Sequence, residues 1–403
     1  DVSLAQQLLW LEANLEYHVL ANHFLKNGKA LLFGGVFFEG PSAARLFDKG
    51  MNIMLEEAAE QFLEDGGHFE RSPQYHCICT EDYLDAVALL EANPGLATST
   101  QLSVLRRAAL RALDALEQLV AGDERMPLFN DCAFGIAPEP SALLGYGTQV
   151  LGKTPTPRES EPLRIHLPDS GYFGYRFGGD SFFIDCGEVG PGYQPGHAHC
   201  DTLSYELCID GQRVVVDSGV YEYAAGEMRS YVRSTAAHNT VSVDDYDQSE
   251  VWGEFRVARR ASPIVAELSE WVDGRLHFHG AHNGYRRLPG GVTHQRQVVL
   301  DPAGSWRVDD AVTGRGSHEV RSFIHLHPEI ELQAVDERQH VLLKQGHPIA
   351  SIDIDDGCTV SRETGWYCPE FGRRDQNEVL VLSSRGALPL KLGYEISKAA
   401  GKT

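Results

Sequence analysis

Along the first third of the chain, apolar positions recur every three or four residues. Leu4, Leu8, Leu11, Leu15, His18, Asn22 and Leu25 form one such stripe, and Phe47, Met51, Met54, Ala58 and Phe62 form a second. Leu102, Leu105, Ala109, Leu113, Leu116 and Leu119 make a third. This spacing returns side chains to one face of a helix and predicts amphipathic helices. Shorter helices are expected over residues 27–36 and 81–90, with Gly66-Gly67 and Pro94-Gly95 as breaks. Helices joined by short connections predict a helical array or toroid. From about residue 171 the period becomes two. Tyr172-Phe173-Gly174-Tyr175-Arg176-Phe177, residues 181–185 and Val379-Leu380-Val381-Leu382 alternate or run apolar between Gly, Asp and Asn turns, which predicts an antiparallel β-sandwich. Between the two regimes stand Pro138, Pro140, Pro155, Pro157, Pro162 and Pro168. The expected organisation is therefore α+β and multidomain: a helical part over residues 1–140, a linker over 141–169 and a β part over 170–403.

Bulk composition narrows the function classes. The chain has 403 residues, which suits two domains, and a net charge of −22, which argues against a nucleic-acid partner or an anionic membrane surface. No apolar run reaches membrane-spanning length; residues 30–38 come nearest. The chain begins without Met and inside a helical pattern, which is read as N-terminal truncation. Eight cysteines are scattered without a CxxC pair, which leans towards reduced thiols.

The densest chemistry is Pro195-Gly196-His197-Ala198-His199-Cys200-Asp201. If this run is a strand, His197, His199 and Asp201 share one face. A hairpin is expected after it, turning at Asp210-Gly211, with Asp217 at its far end and His238 opening a further strand-like run. His199, Asp217 and His238 are candidate metal ligands, a nitrogen-and-carboxylate set that suits zinc. Arg213, Arg229, Arg233, Arg256, Arg259 and Arg260 crowd the same region, either as an anion-binding face or as a solvated basic one. In the helical part, Asn22 lies on an apolar stripe beside His23. The stretch Asp65-Gly66-Gly67-His68-Phe69-Glu70-Arg71-Ser72-Pro73-Gln74-Tyr75-His76 reads as a site loop dense in titratable groups.

The pieces PGHAHCDTLSYEL, VVVDSGVYEY and RSYVRSTAAHNTVSVDDYDQSEVWGEF resemble the β-domain signature of the heparinase II/III-like polysaccharide lyases. ANHFLKNGKALLFGG and DGGHFERSPQYH resemble the helical domain of the same group. The resemblance implies an incomplete (α/α) toroid followed by an antiparallel β-sandwich. It also implies residue roles. Asn22 and His23 neutralise a uronate carboxylate, and Tyr75 acts as acid and often as base. His197 is a second base or orienter, and Tyr223 a further active-site Tyr, with Tyr221 and Tyr231 competing for that role. His199, Asp217 and His238 hold a supporting Zn2+. Arg233 and Glu254 fall inside the signature and are taken as substrate contacts.

The implied activity is cleavage of a uronic-acid-containing polysaccharide by β-elimination. The C5 proton lies α to a carboxylate and is barely acidic while that group keeps its charge, so donors on the carboxylate stabilise the developing dianion. A Tyr with an ordinary pKa near 10 is a poor base at neutral pH, so nearby His and Arg cations are expected to lower it. An acidic polysaccharide such as a glycosaminoglycan, alginate or a bacterial exopolysaccharide is the expected partner. The expected location is periplasmic or secreted, with a cytoplasmic role in polymer assembly as the other option. The alternatives are a uronyl C5-epimerase on the same scaffold, a non-catalytic polysaccharide-assembly or binding protein, and, more remotely, cupin-type metal chemistry at PGHAH.

Overall fold

The computed structural model describes residues 1–154, 162–269 and 272–399. Six helices come first: α1 (Val2–Ala13), α2 (Ala21–Phe37), α3 (Pro41–Gln61), α4 (Pro73–Ala92), α5 (Ser99–Gln118) and α6 (Pro140–Leu151). Pro sits in the first turn of α3, α4 and α6, where its missing N–H is not needed. A capping box between Thr98 and Gln101 starts α5, which buries Leu105, Ala109, Leu113 and Leu116 of the third stripe.

The first stripe is not one helix. The chain turns after Ala13 and re-enters α2 through Leu20 and Ala21, both at positive φ (61° and 51°). Asn27 holds that turn: its Oδ1 accepts the Glu16 N–H at 2.9 Å and its Nδ2 donates to Glu16 Oε2 at 2.8 Å. Apolar periodicity is blind to a side chain that captures a backbone N–H in this way. The helix expected over 81–90 starts earlier, at Pro73, behind a Ser72 N-cap. The stretch read as a linker carries α6 and the first strand, and its Pro155 and Pro157 lie outside the described residues.

Strands β1 (Leu163–Leu167), β2 (Tyr172–Phe177), β3 (Asp180–Asp185), β4 (Tyr205–Ile209) and β5 (Gln212–Val215) form one antiparallel sheet in sequence order. Asp210 and Gly211 close the β4–β5 hairpin with φ of 51° and 74°, the left-handed pair of a type I′ turn. The run 197–201, expected as a strand, is a loop between β3 and β4. Its backbone groups are taken by neighbours instead of a ladder. His199 N–H donates to Asn130 Oδ1 at 3.0 Å, and Cys200 N–H donates to Arg233 O at 3.1 Å.

A short helix, α7 (Glu227–Arg233), precedes β6 (Val241–Val243) and a small hairpin of β7 (Val251–Trp252) and β8 (Arg256–Val257). The remaining strands are β9 (Pro263–Leu268), β10 (Leu276–His282), β11 (Thr293–Asp301), β12 (Ser305–Thr313), β13 (Ser317–His325), β14 (Ile330–Ala334), β15 (Gln339–Lys344), β16 (His347–Ile354), β17 (Thr359–Glu370), β18 (Arg373–Ala387) and β19 (Leu390–Lys398). They build an eight-stranded sheet ordered β14-β15-β16-β19-β12-β11-β10-β9 and a four-stranded sheet ordered β17-β18-β13-β6.

One apolar core fills the β region, with Phe182 stacked on Tyr205 at 4.8 Å and Trp306 among its largest members. The helical core takes in Val216 and Tyr367 from the β region, so the two parts are joined by shared burial of apolar surface. The start of α4, residues 126–134, the 186–204 loop and α7 meet along that seam. No helix among the described residues is long and apolar enough to cross a membrane. The eight cysteines are free, and all but Cys358 are buried.

Candidate active site

Tyr75 is fixed by the start of α4. The Ser72 hydroxyl accepts the Tyr75 N–H at 3.4 Å and donates to the carbonyl of Asp131 at 2.6 Å, tying the helix end to the segment that carries the central carboxylate. The Tyr75 ring stacks on His197 with centroids 3.9 Å apart, and its hydroxyl lies 3.1 Å from that of Tyr223. This settles which tyrosine faces Tyr75. The ring of Tyr221 lies against the Arg374 guanidinium, and the Tyr231 hydroxyl accepts the Trp366 N–H at 3.0 Å. Tyr223 is walled by Phe255 (5.4 Å), Phe371 (4.9 Å) and the Arg229 guanidinium (5.1 Å).

Asp131 is the charge centre. Its carboxylate receives both terminal nitrogens of Arg229, one at 2.9 Å and the other closer, His197 Nδ1 at 3.0 Å and His199 Nε2 at 2.8 Å. Burial works to raise this carboxyl, but the Arg229 charge and the two imidazole hydrogen bonds outweigh it and hold the group well below the usual range. On its other side, His197 Nε2 lies 3.2 Å from Glu70 Oε2. Glu70 Oε1 accepts the Asn22 backbone N–H at 3.1 Å and its side-chain amide at 2.9 Å. A continuous chain therefore runs Asn22–Glu70–His197–Asp131–Arg229. Leu20, Ala21, Arg71 and Asn130, all at positive φ, flank its members, as expected where strain is held at a functional site. His23 is half-exposed, with Nδ1 3.4 Å from Glu16 Oε1.

The expected lowering of Tyr75 by cations is not found. Burial raises its phenol, the Tyr223 hydrogen bond opposes this, and the nearby Asp131 and Glu70 carboxylates add to the rise. Tyr223 is raised by burial and by Asp131. Both shifts favour the phenol over the phenolate.

Beside this chain sits a buried group of His199, Asp201 and His238, whose ligand atoms all lie within 4.8 Å of one another. His199 Nδ1 and His238 Nε2 have no hydrogen-bond partner. The opposite nitrogen of each ring is held by a carboxylate: His199 Nε2 by Asp131, and His238 Nδ1 by Asp217 at 2.8 Å. Carboxylates behind imidazoles are how proteins orient metal-binding histidines. Burial lowers His199 to about 4, which keeps it in the neutral form that ligates. Burial raises Asp201 to about 6, with the Asp217 charge adding and His238 opposing. Of the expected set, His199 and His238 belong to this group. Asp201 stands in the convergent group, and Asp217 supports His238 from behind. The loop conformation of 197–201 brings Asp201 inward, where Asn130 N–H donates to its Oδ2 at 2.9 Å.

Arg233 and Glu254 are not placed as substrate contacts. Arg233 is buried and donates to the carbonyls of Ala198 (3.2 Å), Gly253 (3.1 Å), Glu254 (3.2 Å) and Arg256 (3.2 Å). Glu254 contributes its carbonyl to that clamp and to Arg229. The open reading of the arginine cluster as a solvated face fails for Arg213, Arg229 and Arg233, all buried. Asp131 was not singled out from sequence, and Arg229 and Glu70 were named there only within the arginine cluster and the 65–76 stretch, without roles of their own. The Ser72-Pro73 cap could have drawn notice to Tyr75's helix start, but nothing local marks Asp131.

The Heparinase II/III N-terminus family matches residues 2–137, and the Heparinase II/III-like, C-terminal family matches residues 160–399. A heparin-sulfate lyase of Bacteroides stercoris is 25% identical over 263 residues, covering 58% of this chain and 37% of that protein. The FtsZ-localized protein C of Caulobacter vibrioides is 23% identical over 403 residues, covering 94% of this chain and 66% of that protein. The crystal structure of a heparan sulfate lyase from Pedobacter heparinus superposes with a TM-score of 0.76 at 19% identity, covering 99% of this chain and 63% of that one. A heparinase III structure gives 0.77 at 18%, covering 100% and 65%. The chain therefore spans less than two thirds of the length of these lyases. The structural likeness establishes the fold, a helical toroid part followed by antiparallel β-sheets, and the two sequence matches together take in most of the chain: it belongs to the heparinase II/III-like family.

Proposed function

We propose that this chain carries the β-elimination site of a polysaccharide lyase acting on a uronate-containing glycosaminoglycan. The observation that carries the reading is the contact of Tyr75 with both His197 and Tyr223, next to the Asn22–Glu70 pair. The lyase names of several relatives support it and make heparan sulfate the first polymer to test. Asn22 gives one amide hydrogen to Glu70 and keeps a second for the substrate carboxylate, with His23 at the rim beside it. Because burial keeps Tyr75 as a phenol, it is suited to return a proton to the leaving glycosidic oxygen. His197, stacked on that ring and held by Asp131 at Nδ1, is then the base for the C5 proton once the substrate takes the place of Glu70 at its Nε2. Incubation with heparan sulfate, alginate and bacterial exopolysaccharides is expected to raise ultraviolet absorbance from a conjugated unsaturated uronate on one of them. Silence across the panel from folded protein would sink the lyase reading.

The metal we assign to the convergent group is zinc, held by His199, Asp201 and His238, since two imidazole nitrogens and a buried carboxylate suit it. When bound it supplies a fixed positive charge that ties the 197–201 loop, and so His197, to His238. Elemental analysis of protein purified without chelator is expected to find about one zinc per chain, and His238→Ala about none. A chelator is expected to lower the melting temperature of the wild type only. Metal-free wild-type protein with an unchanged melting temperature would rule the assignment out.

A further inference from the structure

The β7–β8 hairpin forms a two-stranded sheet of its own, and most of its residues are exposed. Two buried arginines of α7 grip the carbonyls of its tip. Arg229 Nε donates to Glu254 O at 2.9 Å, and Arg233 reaches Gly253, Glu254 and Arg256. Arg229 is the same side chain that grips Asp131, so the hairpin and the Asp131 carboxylate share one anchor. Gly253 allows the tight tip with φ of 56° and open space around it. The hairpin's side chains reach from the site to the solvent. Phe255 meets the rings of Tyr223 at 5.4 Å and His197 at 6.4 Å while staying 42% exposed. Trp252 is 54% exposed and pairs across the hairpin with Arg256, whose guanidinium lies 4.7 Å over its ring. Arg259, further along, is committed to Glu250 at 2.9 Å. Among the described residues no carboxylate pairs with Arg256.

We propose that this hairpin is a sugar-binding arm of the site, in which Trp252 and Arg256 hold an anionic sugar next to the reacting one on the same polymer chain, and Phe255 walls the reacting subsite. The inference rests on the polysaccharide reading above and adds a specific subsite to it. The open face of an indole stacks on the apolar face of a pyranose ring, and the guanidinium edge, unpaired, presents parallel N–H donors to a carboxylate or sulfate. Continuity with Tyr223 and His197 through Phe255 makes the occupant the substrate itself.

The test compares wild type with Trp252→Ala, Arg256→Gln and Arg256→Glu on heparan sulfate and on the shortest oligosaccharide that is cleaved. KM for the polymer is expected to rise about tenfold in the first two variants and further in the charge reversal, with kcat little changed. The loss in kcat/KM is expected to be larger for the polymer than for the short substrate. In parallel, calorimetric binding of heparan sulfate to Tyr75→Phe protein, with and without Arg256→Gln, reads affinity without turnover; the added substitution is expected to weaken it and to flatten its salt dependence. Unchanged KM in all three variants with unchanged binding on adding Arg256→Gln, or a change confined to kcat, overturns the arm while leaving the lyase reading standing. Wild-type protein that neither binds nor cleaves any uronate polymer overturns both.

Discussion

Tyr75→Phe is expected to lower kcat by about 10²–10⁴-fold, the range lost when a positioned proton donor is removed. KM and the melting temperature are expected to stay near wild type. The substitution removes one oxygen whose partner in this structure is the Tyr223 hydroxyl, and it keeps the ring that stacks on His197. The structure also says why the effect should fall on proton donation. Burial, with the charges of Asp131 and Glu70, favours the phenol over the phenolate. A group that keeps its proton at working pH has one to give and cannot abstract another, so the missing step should be protonation of the leaving oxygen. Steady-state kinetics on whichever polymer gives the ultraviolet signal makes the check. Turnover above roughly a tenth of wild type would remove Tyr75 from the chemistry.

How much of this was readable in the sequence depends on how local each feature is. The stripe on α5 and the alternation from β2 onward are local, and both became elements where periodicity placed them. The Asp210-Gly211 hairpin was legible because the turn chemistry lies in two adjacent residues. The break between α1 and α2 was not, since it depends on Asn27 reaching back to Glu16 across the turn. The same division runs through the site. His197, His199, His238 and Tyr75 stand in motifs dense enough to be noticed. Asp131, which binds two of those histidines, lies in an unremarkable stretch, Phe129-Asn130-Asp131-Cys132, and acquires its importance only when the seam closes. That 197–201 is a loop was not legible, because period two cannot show where neighbouring side chains replace the ladder. Arg233 was misread for a related reason: a charged residue inside a signature suggests a ligand, whereas here four backbone carbonyls occupy it.

Removing Arg229 is expected to have the largest effect on stability. Arg229→Met should cost about 3–5 kcal/mol, the usual consequence of stripping one partner from a buried ion pair and leaving the other charge without compensation. Both groups are almost fully buried, so solvent cannot make up the loss. The carbonyl of Glu254 would also lose the Arg229 Nε–H. Asp131→Asn alone should cost as well, because His197 and His199 lose their shared anion. The double variant should be less destabilised than the sum of the two, since the neutral amide no longer needs the guanidinium. Urea unfolding of the four proteins measures this directly, and simple additivity would mean that the pair is not energetically coupled. The pH dependence has a definite sign. Asp131 is depressed in the folded protein, so its contribution is present above the ordinary carboxylate value and is lost only as pH falls through its lowered one. Without Arg229 the carboxyl protonates at higher pH. The gap between wild type and Arg229→Met should therefore be widest near neutrality and narrow on acidification; a gap independent of pH would place the cost in lost packing instead of in the charge pair.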